Sequence, residues 1–118
     1  MDAPVEKSDS DLTVYKIGKL DKDGKFVSRY MNFSYDKDAL YKMEQPLKAR
    51  YGGRGDGVHY YGVDEGFHAF VNEELATTFA KVYKDKSVIC KFIIPKGSEV
   101  MYDNRKGYIV ASQIMFLG

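Results

Sequence analysis

The chain has 118 residues, which is enough for one domain with its own core and too few for two. A net charge of +1 with no long Lys/Arg cluster leaves nucleic-acid binding unsupported. The single cysteine, Cys90, excludes an internal disulfide and fits a reducing compartment. Because no stretch is long and apolar enough to span a membrane and the first residues lack a signal-peptide pattern, we expect a cytoplasmic protein without a membrane partner.

The chain begins with an acidic segment that has no apolar period. We therefore expect residues 1–11 to form a disordered tail and residues 12–118 to form a single α+β domain. The alternation over residues 12–17 predicts a strand, and the turn around Gly24 leads into a second strand over residues 26–35.

Residues 36–62 are the least determined part of the chain. Residues 36–51 fit either a helix capped by Asp36 or Asp38, or an extended segment over residues 39–41. Gly52 to Gly57 is predicted to be a flexible loop, and a short strand is expected to follow it and end at Gly62.

The clearest element is a predicted helix over about residues 72–84. Asn72 is a favourable N-cap, and Glu73 and Glu74 oppose the positive end of the helix dipole. Apolar side chains recur at three- and four-residue spacing on one face of this helix, at Leu75, Ala76, Phe79, Ala80 and Tyr83. A short strand from Gly66 to Phe70 is expected to lead into it.

Strands dominate the rest of the chain. Residues 88–94 are nearly all apolar, which predicts a central strand covered on both faces. A short strand is expected over residues 99–102 and one last strand over residues 108–116. The whole pattern predicts an α+β fold, a small and mostly antiparallel sheet with one clear helix.

The residues that could carry chemistry are few. Arg54 lies in the glycine-rich loop, where backbone N–H groups and a guanidinium can bind phosphate. His59 and His68 are the only histidines, and with one cysteine they are too few for a typical zinc site, so we expect no metal. Among the carboxylates, Glu65 and Glu99 have the least obvious structural role.

One succession of elements resembles a known family. The chain offers Gly66-Phe67-His68-Ala69-Phe70, then the helix, then the apolar strand over residues 88–94, and then Lys106-Gly107-Tyr108-Ile109-Val110. This order of elements resembles the C-terminal half of the ADP-ribosyltransferase fold, as in poly(ADP-ribose) polymerases. The resemblance implies an NAD or ADP-ribose-like ligand. Gly107 stands where that family has its catalytic glutamate, and Lys16 stands where arginine-type transferases have an arginine for the dinucleotide phosphates.

A looser resemblance connects the Val14-Tyr15-Lys16 strand and the Gly66–Ala69 segment with small uncharacterised proteins encoded by bacterial viruses. It implies a small intracellular accessory protein and no particular reaction.

Three functional hypotheses remain open at this stage. The first is a catalytically degenerate ADP-ribosyltransferase-like scaffold that binds a protein or a nucleotide-like ligand through Lys16, Arg54, His59 and His68. The second is an active NAD-dependent transferase whose essential acid is Glu65 or Glu99. The third is an inhibitor or adaptor with an exposed tyrosine patch made of Tyr15, Tyr30, Tyr41, Tyr60 and Tyr61. No catalytic residue is assigned, and the missing glutamate argues against an enzyme.

Overall fold

A computed structural model describes residues 5–29, 33–47, 50–53, 59–62, 66–102 and 107–118; the side chains of residues 50–53 and 59–62 lie outside that description. The described elements are a set of short strands and one helix. They are β1 (Glu6–Lys7), β2 (Leu12–Leu20), β3 (Phe26–Ser28), β4 (Ser34–Tyr35), β5 (Leu40–Lys42), β6 (Arg50–Gly53), β7 (His59–Gly62), β8 (Phe67–Phe70), α1 (Glu73–Ala80), β9 (Val88–Ile94), β10 (Glu99–Tyr102), β11 (Tyr108–Ala111) and β12 (Gln113–Phe116).

The main sheet has the strand order β1-β10-β11-β8-β2-β9-β12-β5, and β3 with β4 extends from β2. All pairings between these named strands are antiparallel. Only Ser112 separates β11 from β12 in the chain, so the path β11-β8-β2-β9-β12 returns to itself as a closed ring of strands. β6 and β7 form a separate two-stranded sheet. The predicted α+β class with a mostly antiparallel sheet and one helix is confirmed for the described residues.

The core fills the inside of this ring. Its centre is a group of aromatic side chains in which Phe92 stacks on Phe116 at 5.1 Å between ring centroids and meets the edge of Phe26 at 5.2 Å. Tyr35 completes the group at 5.0 Å from Phe92. Such pairs each add about 1 kcal/mol to the burial of apolar surface. Gly18 allows Phe26 this position, because a Cβ at Gly18 would lie 2.6 Å from the Phe26 ring.

The helix begins where the sequence predicts and ends earlier. The Asn72 side chain accepts a hydrogen bond from the Leu75 backbone N–H at 2.7 Å, which confirms the N-cap. The helix ends at Ala80 rather than near residue 84, because the following backbone bonds run from Val82 to Phe79 and from Tyr83 to Ala80, a tighter three-residue spacing. Within the described residues no helix is long and apolar enough to cross a bilayer.

The predicted disordered tail over residues 1–11 is wrong for the part that the structure describes. Glu6 and Lys7 pair with β10, and the Ser8 backbone exchanges hydrogen bonds with Gly97 and Ser98 at 2.9 and 2.8 Å. Pairing at a sheet edge uses backbone groups, so it needs no apolar side-chain pattern and was not visible in the composition.

Two predicted long strands are each divided. The segment over residues 26–35 contains β3 and β4, which pair with each other, so that Tyr35 comes to lie opposite Phe26. The last strand, predicted over residues 108–116, is interrupted at Ser112. Ile109 and Ala111 face the core before this point, and Ile114 and Phe116 face it afterwards. The residues that face the core thus change from odd-numbered to even-numbered positions at Ser112.

The remaining strand predictions have mixed outcomes. Strands over residues 67–70, 88–94 and 99–102 are confirmed, and residues 40–42 adopt the extended alternative rather than a helix. The strand over residues 88–94 is central, but it is not covered on both faces, because Lys91 is exposed and Ile89 and Ile93 on the same face are only half-buried. Of the predicted loop over residues 52–57, Gly52 and Gly53 belong to β6 and the others lie outside the described residues.

Candidate functional site

A cavity of about 260 Å³ lies between the end of α1 and the line along which β2 meets β8. Its described lining comes from five parts of the chain: β2, the end of β3, β8, the end of α1 with the segment after it, and β11. The lining residues are Lys16, Ile17, Ser28, Arg29, His68, Ala69, Phe70, Phe79, Tyr83 and Tyr108.

The cavity exists because β2 and β8 separate. Tyr15 and Phe70 are paired, but further along β2 the same edge is taken by β3, which pairs with residues 18–20. Lys16 lies at the point of separation, and its Nζ donates a hydrogen bond to the backbone carbonyl of His68. A side-chain amine therefore occupies a place where a regular sheet would have a backbone donor.

Lys16 is a buried cation in aromatic surroundings. The residue is 4% exposed, and its Nζ lies 5.5 Å from the centroid of the Tyr35 ring and 5.9 Å from that of Phe92. Burial lowers the pKa of Lys16 from 10.5 to about 8. Ring faces and one carbonyl are neutral partners, and none of the described residues lining the cavity is a carboxylate. Among the described lining residues, this positive charge therefore has no anionic partner.

Tyr35 stays neutral beside this amine. Burial, with a smaller contribution from the Tyr41 charge, raises the pKa of Tyr35 well above its usual range. The phenol is thus no proton acceptor for Lys16 at physiological pH.

Three aromatic rings in mutual contact form one wall of the cavity. Phe70 lies 5.1 Å from Tyr108 and 5.5 Å from Phe79, and Phe79 meets Tyr108 edge-on at 5.5 Å between centroids. Phe79 is nevertheless 40% exposed, so the wall is reachable from solvent. Flat apolar surfaces of this kind suit a planar ring in the cavity.

Arg29 closes the opposite side. Its guanidinium stacks over the Tyr83 ring at 4.7 Å, donates to Asp85 Oδ1 at 2.6 Å and to Ser87 Oγ at 3.1 Å. Lys19 also donates to Asp85. The hydrogen bonds from Lys19 and then from Arg29 lower the pKa of Asp85 to about 2. Two cations thus share one carboxylate, and of these three groups Arg29 lines the cavity.

The structure brings together two of the four predicted ligand-binding residues. Lys16 and His68 line the same cavity, and His68 Nδ1 lies 3.1 Å from the Gly66 carbonyl oxygen. Arg54 lies outside the described residues, and so does the side chain of His59, whose backbone belongs to β7. The sequence analysis missed Arg29 and Tyr108, and it treated Phe79 and Tyr83 only as the apolar face of a helix. Neither residue pattern nor spacing signals that these positions meet.

Of the two carboxylates predicted as an essential acid, Glu99 is the one that the structure describes, and it does not line this cavity. Glu99 Oε1 accepts a hydrogen bond from the Leu47 backbone N–H at 3.2 Å and lines a separate hollow with Ser112 and Gln113. Glu65 lies outside the described residues. No group of three or more metal-ligating side chains occurs in the described part of the chain.

Gly107 occupies a position that other residues fit poorly. Its φ is +101°, a conformation that L-residues rarely adopt, and a Cβ there would lie 2.3 Å from Leu75 Cδ2. A glutamate at this position would have to adopt this strained backbone conformation or change it, and the Leu75 side chain would have to move.

The predicted tyrosine patch is described in part. Tyr15 and Tyr41 are half-buried, and Tyr41 packs edge-on against Phe33 and Tyr35 at 5.6 and 5.0 Å. Tyr30 and the side chains of Tyr60 and Tyr61 lie outside the described residues.

No protein-family model, curated protein or solved structure matches this chain.

Proposed function

We propose that this protein binds a small anionic ligand with a planar ring, of the nucleotide-like kind, in the cavity between α1 and the β2–β8 separation. One observation carries the proposal: Lys16 is 4% exposed, lines the cavity, and has no carboxylate beside it in the described lining. A buried charge without a counter-charge is unfavourable for the fold. An anion in the cavity would supply the missing partner.

The shape of the cavity narrows the ligand class. A volume of about 260 Å³ is slightly below the roughly 300–1,000 Å³ typical of small-molecule sites. It suits one ring with a charged substituent rather than a whole dinucleotide. The ring would lie against Phe70, Phe79 and Tyr108, and the anionic group would approach Lys16 or the Arg29 side of the rim.

We propose further that the scaffold is a catalytically degenerate relative of the ADP-ribosyltransferases, acting as an accessory protein in the cytoplasm of a cell or of a virus-infected bacterium. Support comes from the order of elements between Gly66 and Phe116 and from the strained, crowded position of Gly107. Hydrolysis of NAD by the purified protein, or transfer of ADP-ribose to a target, would refute the degenerate reading.

Thermal unfolding with added ligands tests the binding proposal. AMP and ADP-ribose are the anionic probes, and adenosine is the matched probe without phosphate. At a concentration about tenfold above Kd, a ligand adds about 1.4 kcal/mol to the free energy of unfolding and raises Tm by about 5 °C in a domain of this size.

Variants of two lysines assign any shift to the cavity. Lys16→Met removes the buried amine, whereas Lys91→Met removes an exposed amine from the neighbouring strand β9. We expect AMP or ADP-ribose to raise the Tm of the wild-type protein and of the Lys91→Met variant, which keeps Lys16. Neither ligand should raise the Tm of the Lys16→Met variant. Equal shifts in both variants, or no shift with any anion, would contradict the proposal.

A further inference from the structure

The segment over residues 81–87 connects the end of α1 to β9 and lies on the surface. Every residue of the segment except Ser87 is exposed. Its described backbone hydrogen bonds all run back to the last turn of α1, and directly after the segment Val88 pairs with Gly18 of β2. Both ends are therefore fixed, whereas residues 84–87 make no backbone–backbone hydrogen bond to another element in the described part of the chain.

One side chain from the end of β3 fastens this segment to the sheet. Arg29 stacks over the Tyr83 ring at 4.7 Å and donates to Asp85 Oδ1 at 2.6 Å. It also donates to Ser87 Oγ at 3.1 Å and reaches the Lys86 carbonyl oxygen at 3.5 Å. The Arg29 backbone is itself fixed, because its N–H donates to a carbonyl oxygen of β2 at 2.9 Å. A single guanidinium thus contacts most of the segment beyond the helix end.

The cavity therefore has one firm wall and one weakly held wall. Phe70 and Tyr108 belong to strands of the sheet and Phe79 belongs to α1, whereas Tyr83 and Arg29 line the cavity from the fastened segment and its anchor. Ion pairs and cation–π contacts at exposed positions are individually weak, and salt screens the ion pairs. The wall that contains Tyr83 is thus the part of the cavity that opens at the smallest cost.

We propose that residues 81–87 form a strap over the cavity and that Arg29 is its clasp, which an anionic ligand opens by taking the place of Asp85 on the guanidinium. This inference rests on the proposed function, because it assigns the regulation of the same cavity. The Nη2 group that donates to Asp85 cannot donate the same hydrogen bond to a ligand, so a fastened strap and an anion on this group exclude each other.

The opened strap leaves no isolated charge behind. Asp85 is 54% exposed and keeps Lys19 as a second cationic partner when it leaves Arg29. Tyr83, no longer held by the guanidinium, moves away from the cavity. A volume of about 260 Å³ then widens towards the size that a nucleotide-like ligand needs.

Limited trypsin digestion of the intact protein reports the state of the strap, because Lys86 provides a cleavage site within it. Asp85→Asn removes the ion pair of the clasp. Asp36→Asn is the matched control, since Asp36 is 58% exposed in an ion pair with Lys25 outside the strap. Each rate is divided by that of a synthetic peptide of residues 78–90 with the same sequence, which removes any effect of the substitution on trypsin itself. We expect Asp85→Asn to speed cleavage after Lys86 about two- to fivefold, the range for an exposed ion pair, and Asp36→Asn to leave it unchanged.

AMP and adenosine, compared at equal ionic strength, test whether an anion opens the clasp. AMP should speed cleavage after Lys86 in the wild-type protein, adenosine should not, and AMP should add less to the rate of Asp85→Asn, whose clasp is already weakened. Unchanged or slower cleavage with AMP, or equal rates in Asp85→Asn and Asp36→Asn, would overturn the strap inference. If AMP still raises Tm in that case, the proposed function stands without it. If AMP changes neither Tm nor cleavage although Asp85→Asn speeds cleavage, the proposed function falls together with the ligand's part in the clasp.

Discussion

The replacement of Gly107 by alanine gives the sharpest test of the structure. Gly107 has a φ of +101°, and an added Cβ would meet Leu75 Cδ2 at 2.3 Å. The backbone conformation alone costs an L-residue about 1–2 kcal/mol. Overpacking against a helix side chain that is half-buried adds about 1–3 kcal/mol. We therefore expect Gly107→Ala to lower the free energy of unfolding by about 2–5 kcal/mol.

Gly97 provides the matched control. Its φ is +86°, but nothing lies within 4 Å of a Cβ built there, so Gly97→Ala carries the backbone cost without the clash. Denaturant unfolding is measured for Gly97→Ala, for Gly107→Ala and for the double variant Leu75→Ala/Gly107→Ala. The comparison separates the backbone cost at Gly107 from the cost of the contact with Leu75. The contact with Leu75 predicts that the double variant recovers part of the loss. If Gly107→Ala cost no more than Gly97→Ala, the close approach of helix and turn would be refuted.

Three other predictions concern charge and capping. The pKa of Lys16 is about 8 in the folded protein and 10.5 in the unfolded chain. Its buried charge therefore lowers the free energy of unfolding below pH 8. As the pH rises towards 10.5 the folded protein loses this charge first, and the free energy of unfolding increases by up to about 3 kcal/mol. Denaturant unfolding from pH 7 to 9.5 should show this rise in wild-type protein and not in Lys16→Met; ionisation of Tyr35 in the unfolded chain acts in the opposite direction only near pH 10 and above. Asp85→Asn frees Arg29 from its carboxylate and should tighten AMP binding by at most about fivefold in calorimetry, the ceiling for an exposed ion pair. Asn72→Ala removes the helix cap and should lower Tm by about 4 °C in calorimetric unfolding.

Each of these has a result that contradicts it. Parallel pH profiles for wild-type and Lys16→Met protein would mean that the amine is not buried as described. An unchanged or weaker affinity in Asp85→Asn at low salt would mean that Arg29 does not face the ligand; the gain should also shrink at high salt. A cap variant with unchanged Tm would place the start of α1 elsewhere.

Local signals predicted the elements that depend on neighbouring residues. Asn72 with two following acids predicts the start of α1, and a continuous apolar run predicts β9. The end of α1 was predicted too late, because Tyr83 continues the apolar spacing although it lies beyond the last regular hydrogen bond and stacks under Arg29. Spacing alone cannot distinguish a helix position from a residue that packs after the helix has ended.

The interruption at Ser112 could not be predicted from alternation. Between Tyr108 and Ala111 the side chains on both faces of the strand are apolar. Either face could therefore have been directed towards the core. The choice is made by partners elsewhere in the chain: the Ser112 N–H donates to the Glu99 carbonyl oxygen at 2.9 Å, and the Ser112 hydroxyl accepts from the Glu99 N–H at 3.0 Å.

The candidate site was predictable only in part for a similar reason. Lys16 and His68 were selected by residue type and resemblance, and the structure places them together although 52 positions separate them. The contact depends on where β2 changes its partner from β8 to β3, which is a property of the completed sheet. Arg29 and Tyr108 owe their place in the cavity to the same arrangement.

The closed ring of strands also constrains how the chain can fold. The ring needs β2 to pair with β9, and it needs residues 108–116 to join β8 on one side and β9 on the other. Nearly all of the chain must therefore be available before the core can close, and the pairings that close it join residues distant in sequence. Topologies of this kind fold in milliseconds to seconds rather than microseconds. A nascent chain that lacks residues 108–116 would expose the unpaired edges of β8 and β9, where other chains could pair with it.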